Sequence, residues 1–523
     1  MSQLNAKNSQ RGVARPARKP LPFESPDARE AGVLLHVTSL PGPYGIGDLG
    51  PAAHAWIDRL ADAGQSWWQV LPLGPTAAER SPYQCFSAFA GNALLISPDA
   101  LVEDGLVASS DLRAVPGRAD RANYAAAERE KNRILHTAWQ THRRGGPAAL
   151  RRAFDAFRES AADAWLNDYA LFMALREANE RRTWTAWDKP LVRRDPAALD
   201  SARRRLAEQI EYEQFVQFLF DRQLDAVRAH ARRRGIGLMG DVPIFISAES
   251  SDVWVHPHLF QLGRDRRPTA VAGVPPDLFS ADGQRWGNPL YDWNAMAADG
   301  YAWWIARFRA AFAQADAVRL DHFRGFDAYW RIPAAAPTAA TGRWVTGPRG
   351  KLFDAAAAAL GPLPLVAEDL GVITDSTVAL RESLGLPGMR ILQFGIGDDP
   401  RSPHLPHEYV RHSVAYPGTH DNDTVVGWAK SLTASQKQRW LAYAGEPGRT
   451  APGSAAIRQV WSSVSALTIV ALQDVMNLPT TARMNTPGTA TGNWQWRLSD
   501  LRAAEPGLEQ LRELTTIYGR SAR

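Results

Sequence analysis

Short apolar runs that stop at glycine, proline or an acid recur along this chain, and longer stretches of helical period lie between them. GVLLHVTSLP at 32–41 and SWWQVLPLGP at 66–75 set the pattern, and IGLMGDVPIF at 236–245 and AVRLDHFRG at 317–325 repeat it. LPLVAEDLG at 363–371, MRILQFGIG at 389–397 and HSVAYPGTHDN at 412–422 continue the series. Runs of this length without polar alternation suit strands covered on both faces, as in a parallel sheet. WWIARFRAAFAQAD and STVALRESLG, which fall between them, carry the spacing of helices. Strands alternating with helices predict an α/β fold. Seven runs, plus an eighth placed at LQDVMNL (472–478) that could equally end a helix, would close a TIM-like (β/α)8 barrel.

Two insertions interrupt that rhythm. Residues 76–235 read as a mainly helical subdomain, with EYEQFVQFLFDRQLDAVRAHARRR as the clearest segment. Residues 246–300 are poor in helix signal and dense in Pro, Gly, Asp and Trp, which predicts an aromatic substrate-binding loop region. Residues 1–30 read as a flexible tail, leaving 31–523 as the barrel domain.

Composition narrows the classes. An apolar fraction of 45% over 523 residues supports a large core, and 60 basic against 55 acidic residues leave a net charge of only +5. No arginine stripe runs beside an aromatic platform, so nucleic acid is not an expected partner. Cys85 is the only cysteine, which excludes an internal disulfide. The polar, basic first 20 residues do not predict a secretory signal, and no apolar run approaches a membrane span, so cytoplasm is the expectation. Oligomeric state is left open.

Four of the predicted strands end in acids: Asp241, Asp321, Glu368 with Asp369, and Asp421. In a barrel these ends share one face, so acids distant in sequence can surround one cleft. Neighbouring carboxylates push their pKa values apart, as a nucleophile and a proton donor require, and glycosidic-bond chemistry uses such a pair. Any one acid alone could be a helix cap or a surface residue. No HExxH, EF-hand or clustered-histidine pattern points to a metal, and neither a P-loop nor a dinucleotide glycine motif follows the first strand. No cofactor is expected. Trp254, Trp286, Trp293, Trp330, Trp344, Trp494 and Trp496 lie in predicted loops, where flat aromatic surfaces suit the C–H faces of sugar rings.

Together the motifs resemble those of the 4-alpha-glucanotransferases called amylomaltases or disproportionating enzymes, relatives of the alpha-amylases. The resemblance rests on GVLLHVTSLPGPYGIGDLG, WWQVLPLGPT, SPYQCFSAFAGN, GDVPIF, GVPPDLFSADGQRWGNPLY, RLDHFRGF, VAEDLG and GTHDNDT, in this order along the chain. It implies a retaining glycosidase-type barrel without a separate C-terminal β-domain, acting on maltooligosaccharides and amylose-like α-glucans without metal. By motif position it implies Asp321 as nucleophile, Glu368 as acid/base and Asp421 as the third acid. It further implies Arg319 as the substrate-site residue that orients the nucleophile, and sugar contacts from Tyr83, Asp241, His322, Arg324 and His420, and from Leu278, Phe279, Trp286 and Asn288 in the lip loop. Where the family commonly has Tyr-Phe after PPD, this chain has Leu278-Phe279, which offers no hydroxyl at the first position. An amylase-like hydrolase and a non-catalytic glucan-binding protein are the alternative readings.

Overall fold

The computed structural model describes residues 18–77, 79–276, 281–445 and 451–521. Its strands, in chain order, are β1 (Glu30–Leu34), β2 (Trp67–Gln69), β3 (Gly237–Pro243), β4 (Ala270–Val274), β5 (Gln284–Pro289) and β6 (Ala317–Asp321). Then come β7 (Ala328–Pro333), β8 (Arg343–Thr346), β9 (Leu365–Ala367), β10 (Gly388–Ile391), β11 (Ser413–Tyr416) and β12 (Leu467–Ala471).

Eight of them form one parallel sheet in the order β10-β11-β12-β1-β2-β3-β6-β9. The two ends meet where the Ala367 amide donates to the Pro387 carbonyl at 2.9 Å, so the sheet curls into a nearly closed (β/α)8 barrel. Its strands are mainly apolar because the interior and the surrounding helices cover both faces. Val33, Ile391, Val414 and Ile469 are completely buried.

All seven clear apolar runs contain barrel strands. The eighth was placed too late in the chain. The strand is Leu467–Ala471, and the predicted segment 472–478 opens with the helix Leu472–Val475. An unbroken apolar run crosses that junction, and periodicity cannot divide so short a run. Of the expected tail, residues 1–17 lie outside the described residues, and 18–30 are held against the domain. Lys19 Nζ donates to the carbonyls of Ser66 and Gly235 at 3.1 Å, Leu21 is buried, and Glu30 already belongs to β1.

Between β2 and β3 the chain is mainly helical, with Tyr124–Arg143, Asn167–Ala178 and Ala207–Arg233 as its longest continuous parts besides Ala148–Ala161. Ala207–Arg233 packs on both Pro51–Asp62 and Asn167–Ala178, burying Phe215, Phe218 and Leu219 at helical spacing. The second insertion is more than a loop region. Its strands β4 and β5 join β7 and β8 in an antiparallel sheet of order β5-β4-β7-β8. Trp254, read as a loop aromatic, is fully buried and donates Nε1–H to the Leu191 carbonyl at 2.9 Å; Trp494 and Trp496 are buried as well. No helix among the described residues is long and apolar enough to cross a membrane.

Candidate active site

Parallel pairing of β3 with β6 sets Asp241 opposite Arg319 and Pro243 opposite Asp321. Arg319 and Asp321 are two apart on an extended strand, so both project to the same side. The guanidinium Nη1 donates to Asp241 Oδ1 and Oδ2 at 3.1 and 2.8 Å and to Asp321 Oδ1 at 2.8 Å. Exposure separates the two acids: the Asp241 side chain is 0% exposed and that of Asp321 24%. Asp241 is enclosed behind the arginine, and Asp321 faces the open end of the barrel. Burial costs Arg319 hydration, but Asp241 and Asp321 together hold it well above the usual arginine value, so it stays charged.

Glu368 follows β9 directly. Its Oε2 accepts the His322 N–H at 2.6 Å and its Oε1 the Leu370 N–H at 3.0 Å. Two backbone bonds lock the same segments together, Glu368 N–H to the Leu320 carbonyl at 3.1 Å and Phe323 N–H to the Glu368 carbonyl at 3.0 Å. His322 has φ +52°, a left-handed conformation uncommon for a residue of its size. Strain of this kind persists where surrounding structure enforces it, and here it accompanies the bond that couples the residue after Asp321 to Glu368. Burial pushes Glu368 up to about 8; the Asp321 charge adds to the rise, while Arg319 and the two amide donors oppose it. Asp241 is likewise raised by burial and drawn back by Arg319.

The far side of the cleft is aromatic. Tyr83 Oη lies 3.0 Å from Asp241 Oδ2 and 2.8 Å from His420 Nε2, and its ring stacks on His420 at 5.5 Å with Trp494 at 5.9 Å. With the phenol proton donated to Asp241, His420 must present its own proton on Nε2. Burial lowers the His420 pKa, in keeping with a neutral ring.

Asp421, in the loop after β11, has a side chain 42% exposed. Asn485 Nδ2 donates to its Oδ1 at 2.7 Å, and Arg483 spans the backbone from the Asp421 carbonyl (2.6 Å) to the Asn485 carbonyl (2.7 Å). Neither Asn485 nor Arg483 was found by sequence reasoning. Both come from an irregular segment after the last barrel strand, and only that position hints at the open face.

The remaining expected contacts divide. Trp286 meets the edge of the His322 ring at 4.9 Å, and burial holds His322 down to about 4, hence neutral. Asn288 is buried with its amide oxygen taken by Gln84 Nε2 at 2.9 Å, tying the SPYQ loop to β5. Arg324 is buried against Trp344. Leu278 and Phe279 lie outside the described residues. Cys85, close to Tyr83, rests its thiol 3.1 Å from the Pro82 carbonyl, and lost hydration pushes it up to about 12, far from thiolate chemistry. Among the described residues no three His, Cys, Asp or Glu side chains group as metal ligands. What the site combines is an accessible carboxylate oriented by a charged guanidinium and a second carboxyl that keeps its proton at neutral pH. That pairing can cleave and re-form an acetal.

Comparison with known proteins agrees. The family model described as 4-alpha-glucanotransferase matches residues 35–503. The 4-alpha-glucanotransferase of Thermus thermophilus is 47% identical over 477 residues, covering 90% of this chain and 95% of the relative. That of Synechocystis sp. is 45% identical over 498 residues, covering 94% and 98%. A solved structure of an amylomaltase from Streptococcus agalactiae in complex with acarbose superposes with a TM-score of 0.91 at 38% identity, covering 94% of this chain and all of that one.

Proposed function

The chain belongs to the 4-alpha-glucanotransferase family, and on that premise we propose that it moves α-1,4-glucan segments from a maltooligosaccharide or amylose donor to the 4-hydroxyl of a glucose or maltooligosaccharide acceptor, with retention. Asp321 attacks the anomeric carbon as the bond to the leaving O4 breaks, and that oxygen takes the Glu368 proton. The product is a glycosyl ester on Asp321. The acceptor hydroxyl then gives its proton to the Glu368 carboxylate and attacks the same carbon, releasing Asp321. Two inversions restore the α configuration.

The observation that carries this reading is the asymmetry of the two acids. Arg319 donates to the Asp321 carboxylate at 2.8 Å and orients it, while burial keeps Glu368 protonated. Asp421, held by Asn485, grips hydroxyls of the sugar at the reaction position, and Tyr83 with His420 forms its aromatic wall. Asp241, with a side chain 0% exposed, serves through Arg319 and Tyr83 and does not touch sugar. Chromatography of maltotriose products tests the proposal. Glucose plus maltooligosaccharides longer than the substrate is the expected outcome; glucose and maltose without elongation would identify a hydrolase instead.

A further inference from the structure

Among the described tryptophans Trp344 alone is exposed, at 38%. It sits on β8, an edge strand, where indole surface left in water forgoes the stabilisation of burial. One face of the ring is covered by the Arg324 guanidinium, 3.9 Å from the ring centroid. Trp330, directly opposite on β7, supports its edge at 5.1 Å and is itself fixed by its Nε1–H bond to the Ala339 carbonyl.

Arg324 is the second anomaly. It is only 8% exposed, yet it makes no hydrogen bond or ion pair with the described residues, and its Nε and Nη1 are enclosed without acceptors. A buried guanidinium left without acceptors is costly unless something else uses it. Asp327, the acid of the same turn, is engaged by Arg349, Ser376 and Thr377. The cation therefore backs a flat aromatic surface with one open face, and its remaining nitrogen, Nη2, is free to donate beside it.

This pair is rigidly joined to the nucleophile strand. Arg324 comes three residues after Asp321, a chain path of at most about 10 Å. The hairpin bearing Trp344 is anchored back on that turn by Gly347 N–H to the Asp327 carbonyl (2.8 Å) and Arg349 N–H to the Phe326 carbonyl (2.9 Å). We infer that Trp344, stiffened by Arg324, is a glucan-binding platform outside the reaction position, stacking the C–H face of a glucosyl unit further along the bound α-1,4-glucan. The inference rests on the functional reading above for the class of ligand and adds a site on the long arm of the substrate.

Binding and turnover together test it. In a Glu368→Gln background, which holds substrate unreacted, calorimetry should show that Trp344→Ala weakens maltoheptaose binding about three- to tenfold, as loss of one aromatic stack implies. Trp344→Tyr, which keeps a ring, should recover most of the loss. In the otherwise native chain, Trp344→Ala should raise the half-saturating amylose concentration by a similar factor and leave maltotriose kcat within about twofold. Unchanged maltoheptaose affinity, or equal losses on maltotriose and amylose with a lowered Tm that Trp344→Tyr does not repair, would assign Trp344 to packing and overturn the platform. Binding needs no turnover, so a chain that bound maltoheptaose through Trp344 but did not elongate maltotriose would refute the transferase reading alone.

Discussion

Glu368 has to give up a proton in one half-reaction and take one in the next, and its environment sets where that balance falls. The folded chain keeps the proton up to about pH 8, whereas an unfolded chain releases it near the ordinary value of 4.5. Between those values the native state binds more protons, so the stability Glu368 contributes is full below the lower value and is lost as pH rises through the upper one. Glu368→Gln imitates the protonated acid at every pH. Its Tm advantage over the native chain should therefore grow from pH 5 to pH 8 and then level off, measured by thermal melts across a buffer series, while transfer falls by about 10²-fold or more. A Tm difference that does not vary with pH would show that Glu368 is ionised in the fold. The same residue shows what sequence can reveal at this scale. Asp321 and Glu368 are legible because each meets the end of an apolar strand, and Asp421 because it lies in the polar loop that follows one. Asn485 is not, since an amide in an irregular segment has no period and acquires meaning only from the side chain it meets.

At the scale of elements, the Arg319 bridge does more than orient Asp321. It neutralises Asp241, which β3 presents with no access to water, so β3 and β6 depend on one guanidinium where they are joined. Arg319→Met should destabilise the protein by about 3–5 kcal/mol in denaturant titration, because an unpaired acid is left buried. Adding Asp241→Asn should return a large part of that without restoring activity. A single variant within 1 kcal/mol of the native chain would contradict this. The barrel strands were readable because burial on both faces leaves continuous apolar runs. The antiparallel sheet was not. β4 pairs with β7, which lies beyond the next barrel strand, and β5 is a short stretch containing Gly287 and Pro289 with no alternation to read. The β12 boundary was misplaced for a related reason: Leu467–Ala471 and the helix that begins at Leu472 share one apolar run, and only the ring of strands decides where pairing stops.

On the scale of the whole molecule, the barrel brings together acids separated by long insertions, and the insertions then build walls around them. The loop holding Tyr83 is tied to β5 by Gln84 and Asn288, and the segment holding Asn485 is tied to the loop after β11. Loops from widely separated parts of the chain thus meet around one carboxylate, Asp321, and the central claim is that this carboxylate becomes covalently glycosylated. Mass spectrometry of the Glu368→Gln variant treated with α-maltotriosyl fluoride tests this most directly, since fluoride leaves without an acid while the second step still lacks its base. The predicted result is one maltotriosyl group on the peptide containing Asp321, lost on addition of a small anionic nucleophile with formation of the α-configured product. Labelling of another side chain, or consumption of the fluoride with inversion and no adduct, would contradict the account.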